Sequence, residues 1–264
     1  MRHYFHHFTL LLTFLLAFIA TACQADNVED DSSPVIPPII VDIEQHEQIP
    51  VIAHRGYRSG TQRPENSLAA FEAALQLNIY GSECDVRQTV DGVLVVCHNT
   101  THDGLNISKS TYEELRQHPL ANGEPLPRLE EFIQVLKMST SPVKLVIDIK
   151  ECDIDLLLSM VMAYGVAERV LFVSFNARYC DRLVRRGRGP QTFYLRGNMT
   201  PQQVKNAGYI GIDYQASVME AHPEWISEAA ALGLKTIVWT VNDKEEVTKY
   251  INQGCIVTTD RPKF

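Results

Sequence analysis

Four short segments carry side chains suited to acid–base, metal and phosphate chemistry. They are His54-Arg55-Gly56, Glu83-Cys84-Asp85, Cys97-His98-Asn99 and Asp148-Ile149-Lys150. Each follows or lies within a short apolar run that reads as a β-strand. Strand side chains alternate between faces, so Glu83 and Asp85 share one face and Cys84 takes the other. The same rule puts Asp148 and Lys150 together. Three carboxylates gathered on one face are costly to bury without a counter-charge. A divalent cation with oxygen ligands answers that cost. Mg²⁺ or Ca²⁺ is favoured over zinc because no Cys/His cluster accompanies the acids, and Mn²⁺ is a further option. Arg55 and Lys150 suit an anionic substrate, and an arginine can grip phosphate through two parallel hydrogen bonds. His54 and His98 can move protons near neutral pH. Singly, each residue has a plainer reading: His54 as a hydrogen-bonded structural histidine, Glu83 and Asp85 as partners of Arg87, Lys150 as a solvated strand end. Their common position at strand ends separates them from His102, His118 and His222, which read as surface residues.

The elements that must position these groups alternate regularly. Strand-like runs start at Val51, Ser82, Val143, Val170, Thr192, Ile210, Thr236 and Ile256. A further short run, Val93 to Cys97, follows the second. Helical spacing of apolar residues appears over 66–77, 129–136 and 154–164, to about Arg186, and near 200–207, 222–232 and 243–252. Gly165, Gly208, Gly233 and Gly254 stand where helices should stop. Eight βα units predict a compact (β/α)8 TIM barrel whose active site lies at the C-terminal ends of the strands. The chain ends six residues after Thr258, so a full helix after the eighth strand is expected to be missing. An open doubly wound sheet is the alternative, but no strand leads into a Gly-rich phosphate loop.

The rest of the 264-residue chain narrows the possibilities. It is 45% hydrophobic and 21% charged, as a globular chain should be. The formal net charge is −8, which argues against a nucleic-acid binder working through a basic surface. Seven acidic residues and no Lys or Arg fall between 26 and 47, so most of that charge sits in one short segment. The apolar run from Phe8 to Ala22 is short for a membrane span and reads as the core of a secretory signal, residues 1–22. Ala20-Thr21-Ala22-Cys23 suits cleavage before Cys23. It also resembles a lipoprotein cleavage box, which would put a membrane-anchoring lipid on Cys23. Residues 23–47 read as an acidic, proline-containing tether, and 48–264 as the folded domain. The expected location is outside the bacterial cytoplasm, lipid-anchored at the membrane and facing periplasm or exterior. The five remaining cysteines are odd in number and irregularly spaced. They read as small buried hydrophobes, although one pair could be oxidised in an exported protein.

Taken together, His54-Arg55-Gly56, Pro64-Glu65-Asn66-Ser67 with Phe71, Glu83-Cys84-Asp85-Val86 with Thr89 and Asp91-Gly92, and Val96-Cys97-His98 resemble the glycerophosphodiester phosphodiesterase family. Asp148-Ile149-Lys150, Ser174-Phe175, Trp239-Thr240-Val241-Asn242 and Thr259-Asp260-Arg261-Pro262 fit the same pattern. The resemblance runs from about residue 50 to the end. It implies a TIM barrel and metal-dependent hydrolysis of glycerophosphodiesters to glycerol 3-phosphate and an alcohol. By that resemblance His54 and His98 form the acid/base pair, Glu83, Asp85 and Asp148 hold the metal, and Arg55 and Lys150 bind the phosphate. The chain departs from the family at three places. Asp148 stands where Glu is usual, Asn99 where Asp is usual, and Thr100-Thr101-His102-Asp103-Gly104 replaces the usual Leu-Asp-Arg-Thr-Thr run. Two other readings stay open: a related barrel lipase of the phospholipase D type acting on lysolipids or sphingomyelin, and a binding lipoprotein that has lost turnover.

Overall fold

The computed structural model describes residues 47–186 and 191–263. The signal segment, Cys23 and the tether up to residue 46 lie outside the described residues. Eight parallel strands close on themselves. They are β1 (Ile49–Ala53), β2 (Ile79–Gln88), β3 (Lys144–Glu151), β4 (Val170–Ser174), β5 (Gln191–Tyr194), β6 (Gly211–Gln215), β7 (Lys235–Trp239) and β8 (Ile256–Thr259). Each pairs with the next, and β1 pairs with both β2 and β8. The described residues from Ile49 onward thus form the expected (β/α)8 barrel, and no helix follows β8 among them.

Period two sorts the side chains of every strand. Val51, Cys84, Ile147, Phe172, Tyr214 and Val257 point outward into the main core, against the surrounding helices. Ile52, Val146, Leu171, Phe193, Ile237 and Ile256 fill the barrel interior as a second apolar cluster. Continuing the inward row toward the C-terminal ends brings Glu83 and Asp85 on β2, Asp148 and Lys150 on β3, Asp213 on β6 and Thr258 on β8. The interior therefore has an apolar floor and a polar mouth, and the mouth is where the sequence placed the chemistry. Gly211 marks how tightly the floor is packed. A Cβ there would sit 2.3 Å from the Lys235 carbonyl oxygen and 2.5 Å from the Phe193 ring.

Several boundaries differ from the sequence reading, each for a local reason. The first helix begins at Leu68, not Asn66, because Asn66 adopts a left-handed backbone (φ 61°) and spends its side chain on β2. The helix expected near 222–232 is Glu224–Ala231, starting after Pro223, and a further short helix, Ala216–Ala221, precedes it. β6 begins at Gly211, after Tyr209, whose hydroxyl donates to Asp181 at 2.6 Å. The run at 93–97 forms a short strand, Leu94–Val96, antiparallel to β2 and outside the barrel. The five cysteines 84, 97, 152, 180 and 255 are free thiols, four of them buried.

Candidate active site

A cavity of about 260 Å³ opens at the C-terminal ends of the strands. His54, Arg55, Glu83, Asp85, His98, Asp148 and Lys150 all line it, so the structure brings together the whole set that the sequence singled out, Cys23 apart. His102, His118 and His222 lie outside it. They are half-buried rather than fully on the surface: His102 hydrogen-bonds the His118 carbonyl at 2.6 Å, His118 pairs with Asp103, and His222 stacks on Trp225.

The three carboxylates have a simple origin. Asp85 and Asp148 are direct neighbours in the β2–β3 register, and Glu83 stands two residues earlier on β2. One oxygen from each lies within 4.8 Å of the others, and all three side chains are buried. Lys150 Nζ bridges Asp85 Oδ1 at 3.0 Å and Asp148 Oδ2 at 2.5 Å. Arg55 Nε stands 3.3 Å from Asp85 Oδ2. Among the described residues, Glu83 accepts from the Arg55 backbone N–H, at 2.8 Å. Burial and the neighbouring Asp85 and Asp148 push the Glu83 carboxyl well above its ordinary range. Burial raises Asp148 to about 6 against the opposing pull of Lys150, and its Oδ1 has no hydrogen-bond partner. Asp85 is lowered: burial opposes ionisation, but Lys150, the Asn66 amide and Arg55 outweigh it. Three clustered carboxylates, one with an orphaned buried oxygen, fit a hard divalent cation. Although Asp148 is one methylene shorter than the family's usual Glu, it still joins the cluster.

The first strand delivers its two functional residues through a tight turn. Arg55 and Gly56 both adopt left-handed backbones (φ 56° and 85°). At Gly56 a Cβ would lie 2.7 Å from the Ala70 Cβ, so glycine is required on two counts. His54 Nδ1 lies 2.7 Å from Asp260 Oδ1. Asp260 follows β8 and is itself held by the Asn242 amide (2.8 Å) and Arg58 (2.5 Å). A carboxylate accepts, so Nδ1 carries the proton and Nε2 is left basic. Burial lowers the His54 pKa below its ordinary value, with Arg55 adding to the effect and Asp260 opposing it.

The second histidine arrives on the hairpin. The Cys97 N–H donates to the Asp85 carbonyl at 2.9 Å, and the Arg87 guanidinium donates twice to the His98 carbonyl, at 3.1 and 2.8 Å. Arg87 therefore fixes the histidine loop and does not pair with Glu83 or Asp85. His98 Nδ1 donates to the Asn99 side-chain oxygen at 3.1 Å, so the neutral amide orients this ring without adding charge.

The Pro64-Glu65-Asn66-Ser67 segment is a support for the cluster. Glu65 accepts from Arg55 (2.9 Å) and Arg58 (3.2 Å). Asn66 grips Asp85 twice, donating to Oδ2 at 2.8 Å and accepting from its N–H at 3.1 Å. Ser67 caps the first helix by accepting from the Ala70 N–H at 3.0 Å. Asp260, Asn242, Asn66 and Arg58 were not assigned roles from sequence. Asn66, Asn242 and Asp260 fall in the motifs at 64–67, 239–242 and 259–262 and Arg58 in none of them, and partners distant in sequence cannot be read from spacing.

The raised Asp148 pKa has a stability consequence. Its folded form keeps a proton that the unfolded chain releases near the ordinary value of 3.8, so the contribution is full below about 4 and is lost as pH rises through about 6. Metal-free protein is expected to lose stability over that window relative to Asp148→Asn, by at most about 3 kcal/mol. Chemical denaturation of both proteins at pH 4 and pH 7, each in chelator, checks this.

Comparison with known proteins gives the geometry its context. Residues 54–264 match the sequence model of the Glycerophosphoryl diester phosphodiesterase family. A glycerophosphodiester phosphodiesterase of Caldanaerobacter subterraneus is 29% identical over 240 residues, covering 80% of this chain and 93% of the relative. The crystal structure of a glycerophosphodiester phosphodiesterase from Parabacteroides distasonis superposes with a TM-score of 0.77 at 35% identity, covering 80% of this chain and 92% of that one. An Oleispira antarctica phosphodiesterase, solved in complex with the product sn-glycerol-3-phosphate, superposes at 0.63 with 27% identity over 80% of this chain and 93% of that one. With the barrel, the carboxylate cluster and this match all covering the same residues, the chain belongs to the glycerophosphoryl diester phosphodiesterase family.

Proposed function

We propose that this protein is a metal-dependent phosphodiesterase that hydrolyses glycerophosphodiesters to glycerol 3-phosphate and an alcohol. The observation that carries this reading is the convergence of three buried carboxylates, two histidines and two cations on one cavity. Glu83, Asp85 and Asp148 are the residues that would hold the cation. When bound there, Mg²⁺, Ca²⁺ or Mn²⁺ would neutralise charge on the phosphoryl oxygens. Arg55 and Lys150 bind and orient the phosphate. His54 Nε2 takes the proton of the glycerol 2-hydroxyl as that oxygen attacks phosphorus, and His98 gives a proton to the departing alcohol oxygen. In the second half His98 takes a proton from the water that opens the cyclic phosphate. His54 then returns its proton to the 2-oxygen. The Asp260 carboxylate holds the His54 ring in the required tautomer and offsets its positive charge. Residues 1–22 act as the export signal, Cys23 carries a lipid, and 23–47 tether the barrel to the outer side of a bacterial membrane. The short apolar run, the small residues before Cys23 and the acidic tether support that placement.

The purified protein is expected to release glycerol 3-phosphate from glycerophosphocholine, to stop on chelation, and to recover with one of the three metals. His54→Ala and His98→Ala should each lower turnover about 10²–10⁴-fold. Preference for sphingomyelin would move the assignment to the phospholipase D type, and undiminished turnover in chelator would remove the metal. Asp260→Asn strips a group that raises the His54 pKa and frees the Arg58 charge beside it. The acid limb of the rate profile should therefore move to lower pH, measurable as kcat/KM across pH 4–8. Radiolabelled palmitate should enter the full chain expressed in bacteria and fail to enter Cys23→Ser; failure with both would exclude the anchor.

A further inference from the structure

One buried carboxyl in the cavity has no part in that scheme. Asp213 lies on β6, across the barrel from β2, and is 4% exposed. Its Oδ1 is buried without a hydrogen-bond partner, and no ion pair reaches its side chain among the described residues. It is not one of the three carboxylates whose oxygens cluster within 4.8 Å, so it is not placed to share their cation. Val146, Val173, Leu195 and Trp239 line the same cavity, and the Asp148 and Lys150 charges act on the Asp213 carboxyl in opposite directions. The Trp239 indole donates to the Asp213 backbone carbonyl at 3.0 Å, which fixes the backbone there without occupying the carboxyl. A buried carboxyl with an unused oxygen is destabilising unless something hydrogen-bonds it. Burial and the Asp148 charge raise its pKa well above the ordinary range, so the neutral acid can both donate and accept.

Resting on the phosphodiesterase reading, we infer that Asp213 is a specificity residue that hydrogen-bonds a hydroxyl of the substrate's glycerol half. Arg55 and Lys150 fix the phosphate on the β1–β3 side. The two halves of the diester must then divide the remaining space. Glycerol is small, constant and rich in hydroxyls, so it suits the wall where Asp213 offers a buried carboxyl with an unused oxygen. The variable alcohol suits the open rim, where Phe175 is 41% exposed. A site built to hydrogen-bond a hydroxyl rejects the analogue that lacks it, because the buried group is left unpaired.

The test is equilibrium binding by calorimetry of sn-glycerol 3-phosphate and propyl phosphate, which share the phosphate and differ in the two hydroxyls. The full chain is loaded with Mg²⁺ or Ca²⁺. The unsubstituted protein should favour glycerol 3-phosphate at least 10-fold. Asp213→Val should bring that ratio close to one with little change in propyl phosphate affinity, and Asp213→Asn, which keeps a donor and an acceptor, should retain most of it. Thermal melts check folding, and Asp213→Ala replaces the valine variant if that one fails to fold. An unchanged ratio in Asp213→Val or Asp213→Ala overturns the inference. So does a loss seen only with phosphocholine, titrated as a third ligand, which would make Asp213 a partner of a cationic head group. Failure of the unsubstituted protein to bind either phosphate would overturn the phosphate-site reading itself, and this inference with it.

Discussion

Three carboxylates share the mouth of this barrel, and the rest of the site answers that crowding. Two unit charges about 5 Å apart repel by roughly 3 kcal/mol at an effective dielectric of 20. Three such pairs approach the whole net stability of an ordinary domain, about 5–15 kcal/mol. The fold meets this in two ways. Lys150 bridges Asp85 and Asp148, with Arg55 beside them. Glu83, with a single backbone donor, is driven toward its neutral form. A dication held by Glu83, Asp85 and Asp148 would satisfy all three acids at once and would free Lys150 to face a substrate anion. The crowding that is costly without a counter-charge is thus what suits the cluster to a divalent cation.

The crowding is held by residues with no chemistry of their own. Asn66 uses both ends of its amide on Asp85, and it adopts a left-handed backbone to do so. Non-glycine residues in that region are uncommon and cost energy. The adjacent Ser67 cap and the Glu65 contacts to Arg55 and Arg58 offset it. Arg55 carries a similar left-handed backbone and turns its N–H onto Glu83. Two of the three non-glycine residues with left-handed backbones among the described residues are thus the ones that lock β1 and the first helix to the acids on β2.

Much of this was legible in the residues. Eight strands and the alternation that put Glu83, Asp85, Asp148 and Lys150 on one face follow from short-range periodicity. The structure keeps them because inward and outward rows are set by the same period two. What periodicity missed is long-range. Asp260 stands 206 residues from His54, and nothing in either neighbourhood specifies the pair. The helix expected from Asn66 failed for the converse reason: a tertiary hydrogen bond to Asp85 outweighed local helical spacing. Likewise Asp213 sits in a strand that reads as ordinary core, and only the closed barrel shows that its inward row ends in the cavity.

The two histidines are oriented by unlike partners. His54 donates to a carboxylate that two further groups hold in place, whereas His98 donates to the amide of its own neighbour, Asn99. A carboxylate stabilises the imidazolium that forms when a ring accepts a proton; an amide fixes the tautomer and leaves the charge balance alone. Asn99, standing where the family usually has Asp, therefore keeps an orienting hydrogen bond to His98 without placing a charge beside it. The unlike partners support the proposed division of labour, with His54, beside the Asp260 carboxylate, taking the proton of the attacking hydroxyl and His98 delivering one to the departing alcohol.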